Sequence, residues 1–124
     1  MFTLQPVHGY AIINADEWRV TVLQDNTHID SSPIQRGIRF WLVINGEKAK
    51  LVYIYVAPRF RHEWLGSKIF QRLKEYAKEC GCTTMELDAY YPVRNFWIKN
   101  WVEVGERITL NWTLQDYVPC SFSL

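Results

Sequence analysis

The sequence predicts one α+β domain built on a mixed sheet of about six strands, antiparallel at one end and parallel in the middle, flanked by two helices. Three observations carry this. Asn45-Gly46 separates two β-rich runs, Ile38 to Ile44 and Ala49 to Val56, and Asn-Gly tolerates the positive φ that a tight hairpin demands. Leu65, Ile69, Phe70, Leu73, Tyr76, Ala77 and Cys80 recur at spacings of three and four, which places one apolar stripe on one face of a helix. Thr84, Glu86 and Asp88 then alternate with Met85, Leu87 and Ala89, as in a half-buried strand. A strand–helix–strand unit of this length implies a parallel pair joined by a right-handed crossover.

The elements follow in order. Trp18 to Leu23 has strand composition, and Gln24-Asp25-Asn26 reads as a turn. Thr27 to Gly37 is the most polar segment and is expected to be a mobile loop. After the hairpin, Pro58 stops the second strand. Lys68, Arg72, Lys74, Glu75, Lys78 and Glu79 fill the polar side of the helix, and Gly81 suits the left-handed position just past its end. Asn95 to Trp101 is expected as a short second helix. Val102 to Val104 and Ile108 to Leu114 are expected as two closing strands around Gly105-Glu106. The single domain thus divides into a variable β-rich part (1–50), a core (51–108) and a closing strand with tail (109–124).

Composition narrows the function. The net charge is +1, from fourteen basic and thirteen acidic residues, so there is no strong nucleic-acid signal and no charged membrane-binding surface. No apolar run approaches the roughly 18–20 residues of a membrane span, and Met1 to Tyr10 lacks a signal-peptide pattern. Cys80, Cys82 and Cys120 form neither a disulfide framework nor a zinc-ligand pattern, which suggests reduced thiols, a cytoplasmic setting and no metal. Six Trp, seven Tyr and six Phe supply either a bulky core or an aromatic cleft and interface.

The most informative stretch is the junction Val52 to Lys68, where a strand turns directly into a helix. A helix start offers unpaired N–H groups and a positive dipole end, and so accepts anions. Arg61 adds charge, Gly66 permits close approach to the backbone, and Ser67 can cap the helix or touch phosphate. On these grounds the segment is either a pyrophosphate cradle or an ordinary capped βα turn. Val56-Ala57-Pro58 followed by Arg61-His62-Glu63-Trp64-Leu65-Gly66-Ser67 resembles the GNAT acetyltransferase signature, Val-x-Pro leading into Arg-x-x-Gly-x-Gly. The likeness continues through Glu75 to Cys82, Met85 to Ala89, Phe96 to Val102 and Val104-Gly105-Glu106-Arg107, a little under half of the chain.

The resemblance implies an acyl-CoA-dependent N-acetyltransferase that moves an acetyl group from acetyl-CoA to an amine of a protein or small molecule. The donor would lie between the splayed fourth and fifth strands. Ile54, Tyr55 and Val56 would pair with the pantetheine arm. Arg61, His62, Glu63, Trp64, Leu65, Gly66, Ser67 and Lys68 would hold the pyrophosphate. Trp97 occupies a cofactor-facing position where many members carry a general-acid tyrosine, and Trp64 replaces the first glycine of the loop. Tyr90 stands where many members place an asparagine against the cofactor. Members of the family often carry an acidic residue on the fourth strand, but Lys50 to Val56 contains none, so Glu63, Asp88, Tyr90 and Tyr91 are the candidates by position for acid–base or positioning work, Asp88 first among them. Members usually place two helices after the first strand, but Trp18 to Gly37 has room for at most a short helical turn, leaving an acceptor side that is reduced, open or completed by a homodimer or protein partner. The alternative is a catalytically inactive GNAT-like binding protein, of a kind that would suit a virus or mobile element.

Overall fold

The computed structural model describes residues 1–107 and 109–124, and the side chains of all of these except Arg61, His62 and Glu63. Its main sheet has seven strands: β1 (Tyr10–Asp16), β2 (Arg19–Gln24), β3 (Thr27–Pro33), β4 (Ile38–Asn45), β5 (Lys48–Val56), β6 (Thr84–Tyr90) and, last in the chain, β9 (Tyr117–Ser123). They lie in the order β3-β2-β1-β4-β5-β6-β9. Every neighbouring pair is antiparallel except β5 and β6, which run parallel across the α1 (Leu65–Glu79) crossover. A separate two-stranded hairpin, β7 (Thr109–Leu110) and β8 (Thr113–Leu114), follows α2 (Arg94–Lys99).

Alternation decides which face is covered. Ala11, Ile13 and Ala15 of β1, Phe40, Leu42 and Ile44 of β4, and Met85, Leu87 and Ala89 of β6 are buried on one face. The stripe of α1 packs onto that face, with Ile69, Phe70, Leu73, Tyr76 and Ala77 removed from solvent. Two linked hydrogen bonds close the helix: Gly81 N–H donates to Lys78 O and Cys82 N–H to Ala77 O, both at 2.9 Å, with Gly81 at φ +90°. This is the left-handed cap that its glycine implied. The first residues strap across the same face. Phe2, Leu4 and Val7 are buried, Tyr76 Oη donates to Gln5 O at 2.8 Å, and Arg72 Nε donates to Phe2 O at 3.2 Å. The opposite face presents Arg39, Trp41, Tyr53, Tyr55, Asp88, Tyr90 and Tyr117 to solvent.

Three expectations are corrected. Thr27 to Gly37 is not mostly loop, because Thr27–Pro33 forms edge strand β3, paired from Arg19↔Pro33 to Gln24↔Thr27. Of its side chains only Ser32 is buried, so the run carries no hydrophobic pattern and its ladder to β2 supplies the structure. Val102 to Val104 is not a strand. Trp101, at φ +66°, ends α2, Val102 N–H donates to Trp97 O at 2.9 Å, and the Val102 side chain enters the core. The tail holds the true closing strand, β9, which pairs with β6 from Thr84↔Ser123 to Tyr90↔Tyr117. Pro119 conceals that strand in the sequence, yet a proline is tolerated at a sheet edge. Ile108, expected to begin a strand, lies outside the described residues.

Candidate active site

The sheet opens beside the helix start. The β5–β6 ladder runs from Lys48↔Thr84 to Leu51↔Leu87 and ends there. Beyond it β5 continues along β4 as far as Ile38↔Val56, while β6 continues along β9 to Tyr90↔Tyr117. The register on β4 shifts between Trp41 and Leu42, so Val52 is an extra residue on β5 at the point where pairing with β6 stops. A bulge of this kind bends its strand and increases the local twist. The two parallel strands are thereby held by opposite neighbours, and a gap bounded by Val52 to Val56 and Asp88 to Tyr90 separates them.

The β5–α1 connection feeds into this gap. Pro58–Glu63 forms a 3-10 turn, and Trp64 follows in the left-handed conformation, φ 59° and ψ 18°. That geometry explains why a glycine suits this position and why a tryptophan there carries strain. The first i→i−4 bond of α1 is Lys68 N–H to Trp64 O at 3.1 Å. The amides of Leu65, Gly66 and Ser67 precede it and have no acceptor within the helix. The first turn contains no acidic residue, so nothing in it offsets the positive end of the helix dipole. The Trp64 indole is more than half exposed and lies beneath the Lys99 ammonium, 3.7 Å from ring centroid to Nζ.

Helix α2 braces this corner through contacts with no sequence signal beyond an unremarkable asparagine. Asn100 Nδ2 donates to Ser67 Oγ at 3.1 Å and to Phe96 O at 2.8 Å. Phe96 in turn explains Gly66, since a Cβ there would lie 3.1 Å from Phe96 Cε2 and 3.8 Å from Val56 Cγ2. The missing side chain makes room for an aromatic ring from α2.

The remaining candidates separate into two groups. Asp88 and Tyr90 lie on the open sheet face next to the gap. Asp88 Oδ2 is 3.4 Å from Lys50 Nζ, and the Tyr90 ring lies 5.2 Å from that of Tyr117, tilted by 42°. Tyr91 begins the turn into α2, with the Arg94 and Arg107 guanidinium carbons 4.4 and 5.1 Å from its ring centroid. Ile54 is half-buried, Tyr55 is exposed, and both belong to the stretch of β5 beyond the ladder. Trp97, by contrast, is only 6% exposed, edge-on to Phe70 and Phe96, and its indole N–H has no hydrogen-bond partner among the described residues. The side chains of Arg61, His62 and Glu63 lie outside the described residues. The three cysteines are free and buried. Burial raises the thiol pKa of each, that of Cys82 to about 11 with Cys80 adding to the effect. Among the described residues no cluster suits a metal ion, and no helix is long and apolar enough to cross a membrane.

Residue-by-residue reading does not find the groove on the open face. It has a volume of about 500 Å³ and is lined by Glu17, Gly37, Ile38, Arg39, Tyr53, Tyr55 and Ala57. Its walls come from the β1–β2 turn, the start of β4 and the end of β5, segments that only folding brings together.

A family model described as the acetyltransferase (GNAT) family matches residues 9–99. Among solved structures, the chain is similar to the PaiA N-acetyltransferase of Thermoplasma acidophilum in complex with coenzyme A. Identity is 18% and the TM-score 0.58, over 86% of this chain and 60% of that one. A Bacillus subtilis acetyltransferase in complex with CoA gives 15% identity and a TM-score of 0.58, over 86% and 76% of the two chains. An acetyltransferase from Bacillus cereus gives 14% identity and 0.64, over 91% and 74%. At these identities the likeness establishes the fold. The chain spans about three fifths of the length of the Thermoplasma protein. No curated protein matches.

Proposed function

The chain belongs to the GNAT acetyltransferase family, and from that membership we propose that it transfers an acetyl group from acetyl-CoA to an amine. The observation that carries the reading is the end of the β5–β6 ladder at Leu51–Leu87, opening beside the amide-rich start of α1. Neighbours of the same fold are described with CoA bound, which supports a CoA-linked donor here.

The residues present suit such a donor. The amides of Leu65, Gly66, Ser67 and Lys68 would hold the pyrophosphate, assisted by the helix dipole and the Ser67 hydroxyl, with Arg61, His62 and Glu63 next to them in the turn. Ile54, Tyr55 and Val56 would run beside the pantetheine arm. Trp64 would contribute its backbone, since its ring is engaged by Lys99. Trp97 would support the cofactor corner through Phe96 and can serve as neither acid nor base near neutral pH. When bound, acetyl-CoA supplies a thioester carbon to the amine nitrogen. Asp88 would draw a proton from the amine, and Tyr90 or Tyr91 would supply one to the departing thiolate.

A second reading is favoured by a specific observation. Trp101 and Trp112 are 92% and 99% exposed, and with the aromatic open sheet face they suit a GNAT-fold protein whose task is to bind a macromolecular partner. Thiol release separates the two readings. Acetyl-CoA is mixed with the protein and a panel of amines, and free thiol is followed by a chromogenic disulfide. Amine-dependent release supports the transferase. Binding of the cofactor with no release across the panel supports the binding protein.

A further inference from the structure

Two ion pairs lie side by side on the open face where β5 and β6 meet. Lys48 Nζ is 3.8 Å from Glu86 Oε1, and Lys50 Nζ is 3.4 Å from Asp88 Oδ2. Both lysines stand on the same face of β5, two residues apart. They differ in their distance from the gap. The ladder ends at Leu51↔Leu87, so Lys50 is the last residue before that end on β5 and Asp88 the first past it on β6. Lys48 and Glu86 lie within the paired part. A donor whose phosphates rest on the start of α1 enters beyond Val56 and runs along β5 toward Val52, which brings its thioester to the closed end of the gap. A primary amine and a carboxylate already in contact flank that end.

We propose that Lys50 is itself an acetyl acceptor, so that the protein acetylates its own lysine at the closed end of the gap. The inference rests on the transferase reading and on the direction in which that reading lays the donor. A lysine attacks only as the neutral amine, and a carboxylate touching its ammonium is placed to take the proton that must leave first. Asp88 takes that proton and passes it to solvent. The Lys50 nitrogen then bonds to the acetyl carbon as the C–S bond breaks. A second nitrogen proton ends on the leaving sulfur, so the products are acetylated Lys50, CoA thiol and one released proton. Acetylation also removes the lysine charge, and with it the ion pair that holds Asp88. Lys48 is an internal reference, being the same residue type on the same strand and face, also paired to a carboxylate. Its side chain is 70% exposed against 41% for Lys50, so donor acting from solution would favour Lys48. Only a donor seated in the gap reverses that order.

The test incubates the protein with acetyl-CoA and no added amine, and follows each lysine by peptide mass spectrometry. Desulfo-CoA binding is measured alongside by calorimetry. Lys50 is expected to gain the acetyl group at least about tenfold faster than Lys48, as proximity to a bound donor implies. The fraction modified per unit time should not depend on protein concentration. Excess desulfo-CoA should suppress labelling of Lys50 and leave that of Lys48 unchanged. Asp88→Asn should slow labelling of Lys50 on the order of 100-fold. Lys50→Arg should lose the modification while keeping both its thermal melt and its desulfo-CoA binding. If desulfo-CoA binds but Lys50 gains no more acetyl than Lys48, or its labelling survives excess desulfo-CoA, self-acetylation is overturned and the donor site stands. Thiol release that depends on an added amine, with Lys50 left unmodified, overturns it too and leaves the transferase reading intact. If desulfo-CoA does not bind, both fall.

Discussion

Replacing Gly66 by alanine tests why a glycine stands at the start of α1. The new methyl would lie 3.1 Å from Phe96 Cε2 and 3.4 Å from Cζ, inside the 3.5–4.0 Å optimum for carbon contacts. The ring has little freedom to retreat. It meets Trp97 at 4.9 Å, and the Phe96 carbonyl is held by Asn100. Overpacking of this kind costs about 1–3 kcal/mol, against a helix-propensity gain of at most about 1 kcal/mol. A net loss of about 1 kcal/mol is expected, lowering Tm by about 4 °C. Phe96→Leu removes the clashing atoms, so in that background Gly66→Ala should be neutral or stabilising. The expected coupling is about 1–2 kcal/mol in a denaturant-melt double-mutant cycle, where unlinked sites add within about 0.5 kcal/mol. Additive effects would refute the packing argument. So would an unchanged melt with CoA affinity reduced equally in both backgrounds, which would show that the glycine admits a ligand.

Tyr76→Phe removes the donor to Gln5 O and should lower stability by about 1 kcal/mol, with faster amide exchange in the first seven residues. Unchanged exchange would mean that this bond does not hold the strap. Burial raises the pKa of Cys82 to about 11 and that of Tyr76 further. Groups whose folded pKa lies above the unfolded value stabilise fully below the unfolded value, near pH 9 for a thiol, and lose that contribution as pH rises through the folded value. Stability should therefore fall between about pH 9 and 11, and Cys82→Ser should flatten part of that fall. Asp88→Asn breaks an exposed ion pair with Lys50, so its melt should move by less than about 0.5 kcal/mol. If Asp88 is the base, thiol release should drop on the order of 100-fold, and an unchanged rate would remove it from that role.

The hairpin, α1 with its Gly81 cap, and the parallel crossover were legible because each rests on a local signal: a turn dipeptide, a 3.6-residue stripe, a left-handed stop. Strand β3 was not legible, since its residues are polar on both faces and only pairing with β2 makes it a strand. Strand β9 does alternate, with Val118 and Cys120 buried, but Pro119 and the polar serines obscured it. At the candidate site, the strand-to-helix junction could be read from order and spacing, and the place of Asp88 near a strand end from the alternation of Thr84 to Ala89. The purpose of Gly66 could not, because Phe96 is thirty residues away in the chain. The groove on the open face left no trace either, for its lining comes from the β1–β2 turn, β4 and β5, which only folding brings together.

A CoA-linked donor seated between β5 and β6 would rest its phosphates on the start of α1. Amide chemical shifts in a nitrogen–proton correlation spectrum, recorded as CoA is added, test it most directly. Saturable shifts are expected at Ile54 to Val56 and Leu65 to Lys68, with lesser ones at Asn100. Absence of shifts at millimolar CoA, or shifts confined to other parts of the sheet, would contradict it.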